Sequence, residues 1–328
     1  MNDSLTRLLT ANGVQPTLVD VGASGRPPDV WLPIALCATY VGFDPDLREF
    51  SKVTSGTFRT ECRIAAVVGP DEAAETAPLY LTRSPFCSST LAPDPDALAP
   101  YLFADLFAVE RQVNACATTL GKALTQAGLP PRIDWLKLDT QGTDLRILQS
   151  LSEEMAGQVL AVDVEPGLID AYRDEDLFVK THAHLVRHGY WLSNLNVCGA
   201  VRMRRQTLAS GAARQAGLTE ERVNANQRVA PGWCEARYLR TVEWLTDHGA
   251  GPDRYLLLWV FSMLDGQYGF ALDIAAEYRR RFGETSANTV LERLPMRPLK
   301  MTRSETRIRR ALWKLGRWSG RLRWRSAT

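Results

Sequence analysis

The sequence predicts an α/β protein built on a doubly wound, Rossmann-like sheet with a C-terminal helical extension. Three observations predict it. Short β-rich runs alternate with helical patterns through the first 205 residues. Several of those runs are almost continuously apolar, as in strands buried on both faces. Beyond Arg205 the strand signals fade and helical spacing takes over. With 328 residues, 45% of them hydrophobic, the chain can fill a sizeable core.

The first strand is TLVDV (17–21), which runs into the glycine-bearing turn Gly22-Ala23-Ser24-Gly25. YVGF (40–43) follows and stops at Asp44-Pro45, a turn-forming pair. CRIAAVV (62–68), PLYLT (78–82) and FAVERQV (107–113) come next, with an inserted antiparallel element expected near 78–113. IDWLKL (133–138), VLAVDVE (159–165) and YWLSNL (190–195) complete the strands. Helical spacing recurs at 118–128, 143–151 and 175–188, the last punctuated by Gly189. After Arg205 it is expected over 219–225, 234–247, 254–264, 267–282 and 284–294. The chain therefore divides into a sheet domain (1–205), a helical extension (206–296) expected to pack on it, and a tail (297–328).

No apolar run reaches the roughly 20 residues of a membrane-spanning helix. The segment MNDSLTRLLTANG has neither the apolar core nor the cleavage site of a signal peptide, so a cytoplasmic protein is expected. The six cysteines contain no CxxC pair, which speaks against a zinc site or a disulfide framework; they read as small buried hydrophobes. Net charge is only +2, but from Arg297 onward eleven Lys or Arg stand against Glu305 alone. A mildly acidic body carries a basic tail.

In an open parallel sheet, ligands sit beyond the carboxyl ends of the strands, where a glycine turn lets backbone N–H groups approach closely. Asp20, Gly22 and Gly25 supply such a turn, although a tight turn needs glycine whether or not anything binds. Asp44 ends the next strand, 24 residues after Asp20, where an acid can accept from both hydroxyls of a ribose. Alternatively it starts a turn with Pro45 or caps a helix. A dinucleotide fingerprint would need further glycines where Arg26, Pro27 and Pro28 stand. A nucleoside cofactor without a pyrophosphate has no such requirement, and S-adenosylmethionine fits that description.

The order TLVDVGASG, YVGFDPD, CRIAAVVG, FCSSTLAP, TLGKAL, IDWLKLDTQGTDLRIL, VLAVDVE and LVRHGYWL resembles the FkbM family of S-adenosylmethionine-dependent methyltransferases over residues 17–197. LKLDTQGTDLRIL carries the most specific part of the likeness. The chain departs from the family pattern at Ser24 and Arg26 in the first turn, at Gly121 after Thr119-Leu120, and at Asp144, where Glu is often found. The resemblance implies a class I methyltransferase-like fold and methyl transfer, usually to oxygen, on secondary metabolites or sugars. It also places Asp139 near the methionine end of the cofactor; the plain alternative is a helix cap, with Thr143 as competitor. Lys137 shares the face of Asp139 and pairs with it on the simplest reading. The cofactor-binding residues are then Asp20, Gly22, Ala23, Ser24, Asp44, Pro45, Ala66 and Asp139.

Methyl transfer from a sulfonium is an in-line displacement, so positioning supplies most of the catalysis, and a hydroxyl acceptor gains from a general base. The candidate catalytic residues are Asp139, Glu165 at the next strand end, and His182 on the following helix, with His184 beside it. His184 and His188 have metal-ligand spacing but no evident third ligand, so no metal is expected.

In the tail, Ile308, Ala311, Leu312, Leu315, Trp318 and Leu322 fall within an arc of about 120°, opposite a row of Arg and Lys. A basic amphipathic helix of this kind suits an anionic membrane surface at the inner face of the membrane. The same stripe suits docking on the protein's own body, and Gly316 and Gly320 weaken the helix. Arginine interleaved with tryptophan also suits nucleic acid, but no recognition module accompanies it. The expected function is O-methylation of a small-molecule or glycan acceptor. The rivals are a catalytically silent methyltransferase-like module recruited to a membrane assembly, and an NAD-dependent oxidoreductase, which the first-turn spacing disfavours.

Overall fold

A computed structural model describes residues 2–46 and 56–300. The amphipathic stripe expected from Ile308 to Leu322 lies outside them. Ten strands form two sheets: β1 (Thr17–Val21), β2 (Thr39–Phe43), β3 (Thr60–Ile64), β4 (Val67–Val68), β5 (Thr76–Thr82), β6 (Val109–Thr118), β7 (Trp135–Leu138), β8 (Ala161–Val164), β9 (Tyr190–Ala200) and β10 (Ala230–Arg240). The main sheet has the order β3-β2-β1-β7-β8-β10-β9. Its strands are parallel except β10, which runs antiparallel to both β8 and β9. This is the doubly wound, class I methyltransferase-like arrangement expected from the sequence. The chain moves outward from β1 to β3 and then returns to β7 on the other side, so the topological switch point, where open sheets of this kind bind ligands, falls between the ends of β1 and β7.

Period-2 alternation sorts the strands into two cores. Leu18, Tyr40, Trp135, Ala161 and Leu239 face one way, into a core completed by the N-terminal helix Asn2–Ala11 and the C-terminal helices. Val19, Val41, Leu136, Leu138, Val162 and Tyr238 face the other way, onto helices Leu120–Gln126, Asp144–Gln149 and Phe178–Arg187. The inserted antiparallel element is the pair β5–β6, to which β4 adds in parallel as a small second sheet.

Two sequence expectations are corrected. CRIAAVV is not one strand, because the chain bends at Ala65-Ala66, with Ala66 N–H donating to the Ile64 carbonyl at 3.0 Å. Its halves β3 and β4 enter different sheets. The helix expected over 234–247 is instead the long strand β10 followed by the helix Val242–Asp247. Glu, Ala, Arg and Leu in this stretch favour a helix, yet Cys234, Ala236 and Tyr238 alternate into the second core and β8 stands ready to pair. Thr241 marks the boundary by accepting from the Trp244 N–H at 3.1 Å.

The extension packs on the sheet. Helix Pro252–Asp265 starts with proline at its first turn, ends at left-handed Gly266, and is buried on all sides from Arg254 to Met263. Phe261 meets Trp135 at 4.9 Å between ring centroids, and Trp31 packs edge-on to Trp135 from the other side. Helices Tyr268–Phe282 and Asn288–Leu299 cover it. Among the described residues no helix is long and apolar enough to cross a membrane. Of the cysteines, Cys37, Cys87 and Cys234 are buried as expected, Cys62 and Cys198 are half-buried, and Cys116 is exposed.

Candidate functional site

Strand register builds the floor of the site. Arg63, Gly42, Asp20, Lys137, Asp163 and Arg237 lie side by side across six strands, one step below the carboxyl edge. Opposite charges alternate along this row. Lys137 Nζ binds Asp20 Oδ1 at 3.0 Å, and Arg237 makes two bonds to Asp163, at 2.7 and 2.8 Å. The Tyr40 hydroxyl donates to the other oxygen of Asp20 at 3.2 Å, and Arg237 also reaches Asp265 of the extension at 2.9 Å. Buried charges are tolerated when paired and hydrogen-bonded in this way.

The next step up is acidic. Asp44 and Asp139 follow β2 and β7, Glu165 follows β8, and Glu235 enters from β10 beside it. Burial pushes the Asp44 carboxyl up to about 6, helped by the negative charges of Asp46, Asp139 and Asp20. Burial likewise raises Asp139, outweighing the opposite pull of Lys137 and Gln141. Glu165 is held well above the ordinary carboxylate range, first by burial and then by the charge of Asp139. Burial alone would depress Lys137, but Asp20, Asp139 and Glu165 together hold its ammonium well above the usual value. The same cluster thus favours the charged form of Lys137 and the protonated form of Glu165.

Gly22 lets the turn after β1 approach the end of β7. Its φ is +83°, and a Cβ placed there would lie 2.0 Å from the Asp139 carbonyl oxygen. The N–H groups of Gly22 and Ala23 both donate to the Phe43 carbonyl, at 2.8 and 2.9 Å, so the first turn is tied to β2 as well as pressed on β7.

The structure brings Asp20, Gly22, Ala23, Ser24, Asp44, Pro45, Asp139 and Glu165 to this one edge of the sheet. Lys137 lies nearer Asp20 than Asp139, from which it is 3.9 Å away. Asp139 does not cap the following helix; its Oδ1 accepts from Gln141 Nε2 at 2.7 Å. Thr143 makes no side-chain cap, and its hydroxyl donates to that of Thr140. Ala66 lies just past Ile64, which is bonded to Asp44, but lines an open groove with Lys122 and Gln126. His182 stands apart from the carboxylates: its Nδ1 is 3.0 Å from the Tyr238 hydroxyl and its ring stacks on Phe178. Tyr238 pairs with Val162, two residues below the end of β8, so His182 packs on the sheet flank. The rings of His184 and His188 lie 4.1 Å apart, and His188 is exposed.

Further polar residues pack around Asp139 and the ends of β7 and β8. Gln141, at φ +55°, bridges Asp139 and the Tyr172 hydroxyl, which lies 3.0 Å from Gln141 Oε1 and 2.9 Å from the Cys87 carbonyl oxygen. Ser89, from the stretch FCSSTLAP, donates to the Gln141 carbonyl at 2.7 Å. Asp144, 1% exposed, accepts from the N–H and hydroxyl of Thr140 and from the N–H of Glu165, joining the ends of β7 and β8. Glu175 accepts from the N–H groups of Ala171 and Tyr172, and burial pushes it up to about 7. The left-handed backbone of Gln141 is costly for a residue with a side chain and persists only where its surroundings fix it. The only sequence signal was Gln141 before Gly142, a turn pair directly after a strand-end acid.

Compared with known proteins, the chain matches no family model, no curated protein and no solved structure.

Proposed function

We propose that this protein is an S-adenosylmethionine-dependent methyltransferase, of the FkbM kind its motifs resemble, acting on a hydroxyl of a sugar, glycan precursor or secondary metabolite. The observation that carries the reading is the meeting of Asp20, Asp44 and Asp139 around a glycine turn at the point where strand order reverses. The residues fit the cofactor. Asp44, at the end of β2, can accept from both hydroxyls of a ribose. Bound there, S-adenosylmethionine would supply an electrophilic methyl group.

The chain's own residues suit a cationic guest. Lys137 neutralises Asp20, while Asp139 and Glu165 hold protons more tightly than ordinary carboxyls because they are buried among like charges. A positive group arriving beside them favours their ionised forms and is itself stabilised. In its ionised form Glu165 can accept a proton from an acceptor hydroxyl. His182 is engaged with Tyr238 and is a weaker candidate for that role.

Calorimetry with S-adenosylhomocysteine tests the reading. Binding is expected, and Asp44→Ala should weaken it on the order of tenfold to a hundredfold, since charge-assisted bonds contribute roughly 1.5–3 kcal/mol each. Failure to bind, with binding of NADH instead, would point to the oxidoreductase. Tight binding without methyl transfer to any hydroxyl acceptor would point to the silent module.

A further inference from the structure

Asp139 is held unevenly. Its N–H donates to the Val21 carbonyl at 2.9 Å, which fixes the backbone at the end of β7. One carboxylate oxygen, Oδ1, accepts from Gln141 Nε2 at 2.7 Å. The other, Oδ2, lies 3.9 Å from Lys137 Nζ, whose shorter contact is the 3.0 Å bond to Asp20. Among the described residues no hydrogen bond reaches Oδ2, and the side chain is 24% exposed.

The partner of Oδ1 is itself braced. Gln141 has left-handed backbone, its carbonyl accepts from Ser89 Oγ at 2.7 Å, and its Oε1 accepts from the Tyr172 hydroxyl at 3.0 Å. Ser89 and Tyr172 are both buried, and Ser89 exchanges backbone bonds with Tyr80 of β5, so the support runs back to the small sheet. A carboxylate only accepts, so the amide nitrogen faces Asp139 and the amide oxygen is left for Tyr172. Glycine or asparagine would take this backbone at lower cost, but the first has no side chain and the second is a methylene shorter. We infer that Gln141 is a positioning residue: its amide, braced by Tyr172 and Ser89, turns the Asp139 carboxylate so that Oδ2 receives the ammonium at the amino acid end of the cofactor. The inference rests on the reading of this sheet edge as an S-adenosylmethionine site. Gln141 acts through Asp139 and not on the methyl group.

Calorimetry on the full chain with two nucleosides is the test. S-adenosylhomocysteine carries the amino acid end; methylthioadenosine has the same adenosine and thioether without it. Gln141→Gly keeps the Ser89 bond to the backbone carbonyl, leaves Tyr172 its 2.9 Å bond to the Cys87 carbonyl and relieves the left-handed backbone, so it should melt no lower than the wild type. It should bind S-adenosylhomocysteine about tenfold more weakly and methylthioadenosine as before. Tyr172→Phe keeps the ring packed on Phe107 and removes only the brace, so it should shift the ratio of the two affinities in the same direction by less; it decides the matter if Gln141→Gly does not fold. Binding of both nucleosides by the wild type with an unchanged ratio in the variants overturns the inference and leaves the S-adenosylmethionine reading standing. A wild-type chain that binds neither nucleoside overturns both.

Discussion

Glu175 shows how burial turns a single carboxyl into a pH-dependent contribution to stability. Its folded value of about 7 lies above the ordinary 4.5, so the native state binds the proton more tightly than the unfolded chain does. The stabilisation is fully present below about 4.5 and is lost as pH rises through about 7. Its size is on the order of 3 kcal/mol. Glu175→Gln keeps an acceptor for the Ala171 and Tyr172 N–H groups but cannot ionise. The variant should match the wild type in urea unfolding at pH 4.5 and exceed it at pH 8. Equal loss in both proteins between those pH values would show that other carboxyls, such as Asp44 and Asp144, carry the dependence instead; both are raised to about 6.

Among the elements, the turn after β1 is held from both sides, by bonds to Phe43 and by its approach to Asp139. Gly22 and Gly25 both have positive φ, yet a Cβ at Gly22 would strike the Asp139 backbone while one at Gly25 would meet nothing within 4 Å. Gly25→Ala should therefore cost only the backbone strain, about 1–2 kcal/mol. Gly22→Ala adds a clash with a backbone atom that cannot step aside, and a loss of ~3–5 kcal/mol is expected. Urea unfolding of the two variants checks this directly, with similar losses counting against the close approach of β1 and β7. The same closeness explains why Asp144 is buried: the ends of β7 and β8 need an acceptor where their ladder stops.

At the scale of the molecule, the acidic edge and the basic tail are separate parts of the sequence. Removing residues 303–328 deletes most of the tail's positive charge while sparing Asp20, Asp44, Asp139 and every described strand. If the tail is a membrane element, the shortened chain should fold, bind S-adenosylhomocysteine as before and lose its hold on anionic vesicles. Each basic residue near such a surface contributes about 1 kcal/mol, so co-sedimentation of the full chain should be strong at low salt and fade as salt is added. Equal pelleting of the two forms would favour a tail docked on the protein.

The alternation of apolar runs and helical patterns was enough to determine the α/β class and seven strand positions, with CRIAAVV read as one strand where the chain forms two, because burial on both faces leaves its mark on every residue of a central strand. It also marked Asp20, Asp44, Asp139 and Glu165, since acids at the ends of such runs stand out locally. β10 was illegible for the opposite reason. Its residues favour a helix, and only pairing with β8 and β9, strands distant in sequence, makes the extended form the better one. Tertiary structure likewise decided that Lys137 belongs to Asp20, that His182 belongs to Tyr238, and that Gln141, Tyr172 and Ser89 surround Asp139. These contacts join segments up to 117 residues apart, and a hydrogen bond between distant segments has no period for a sequence to display.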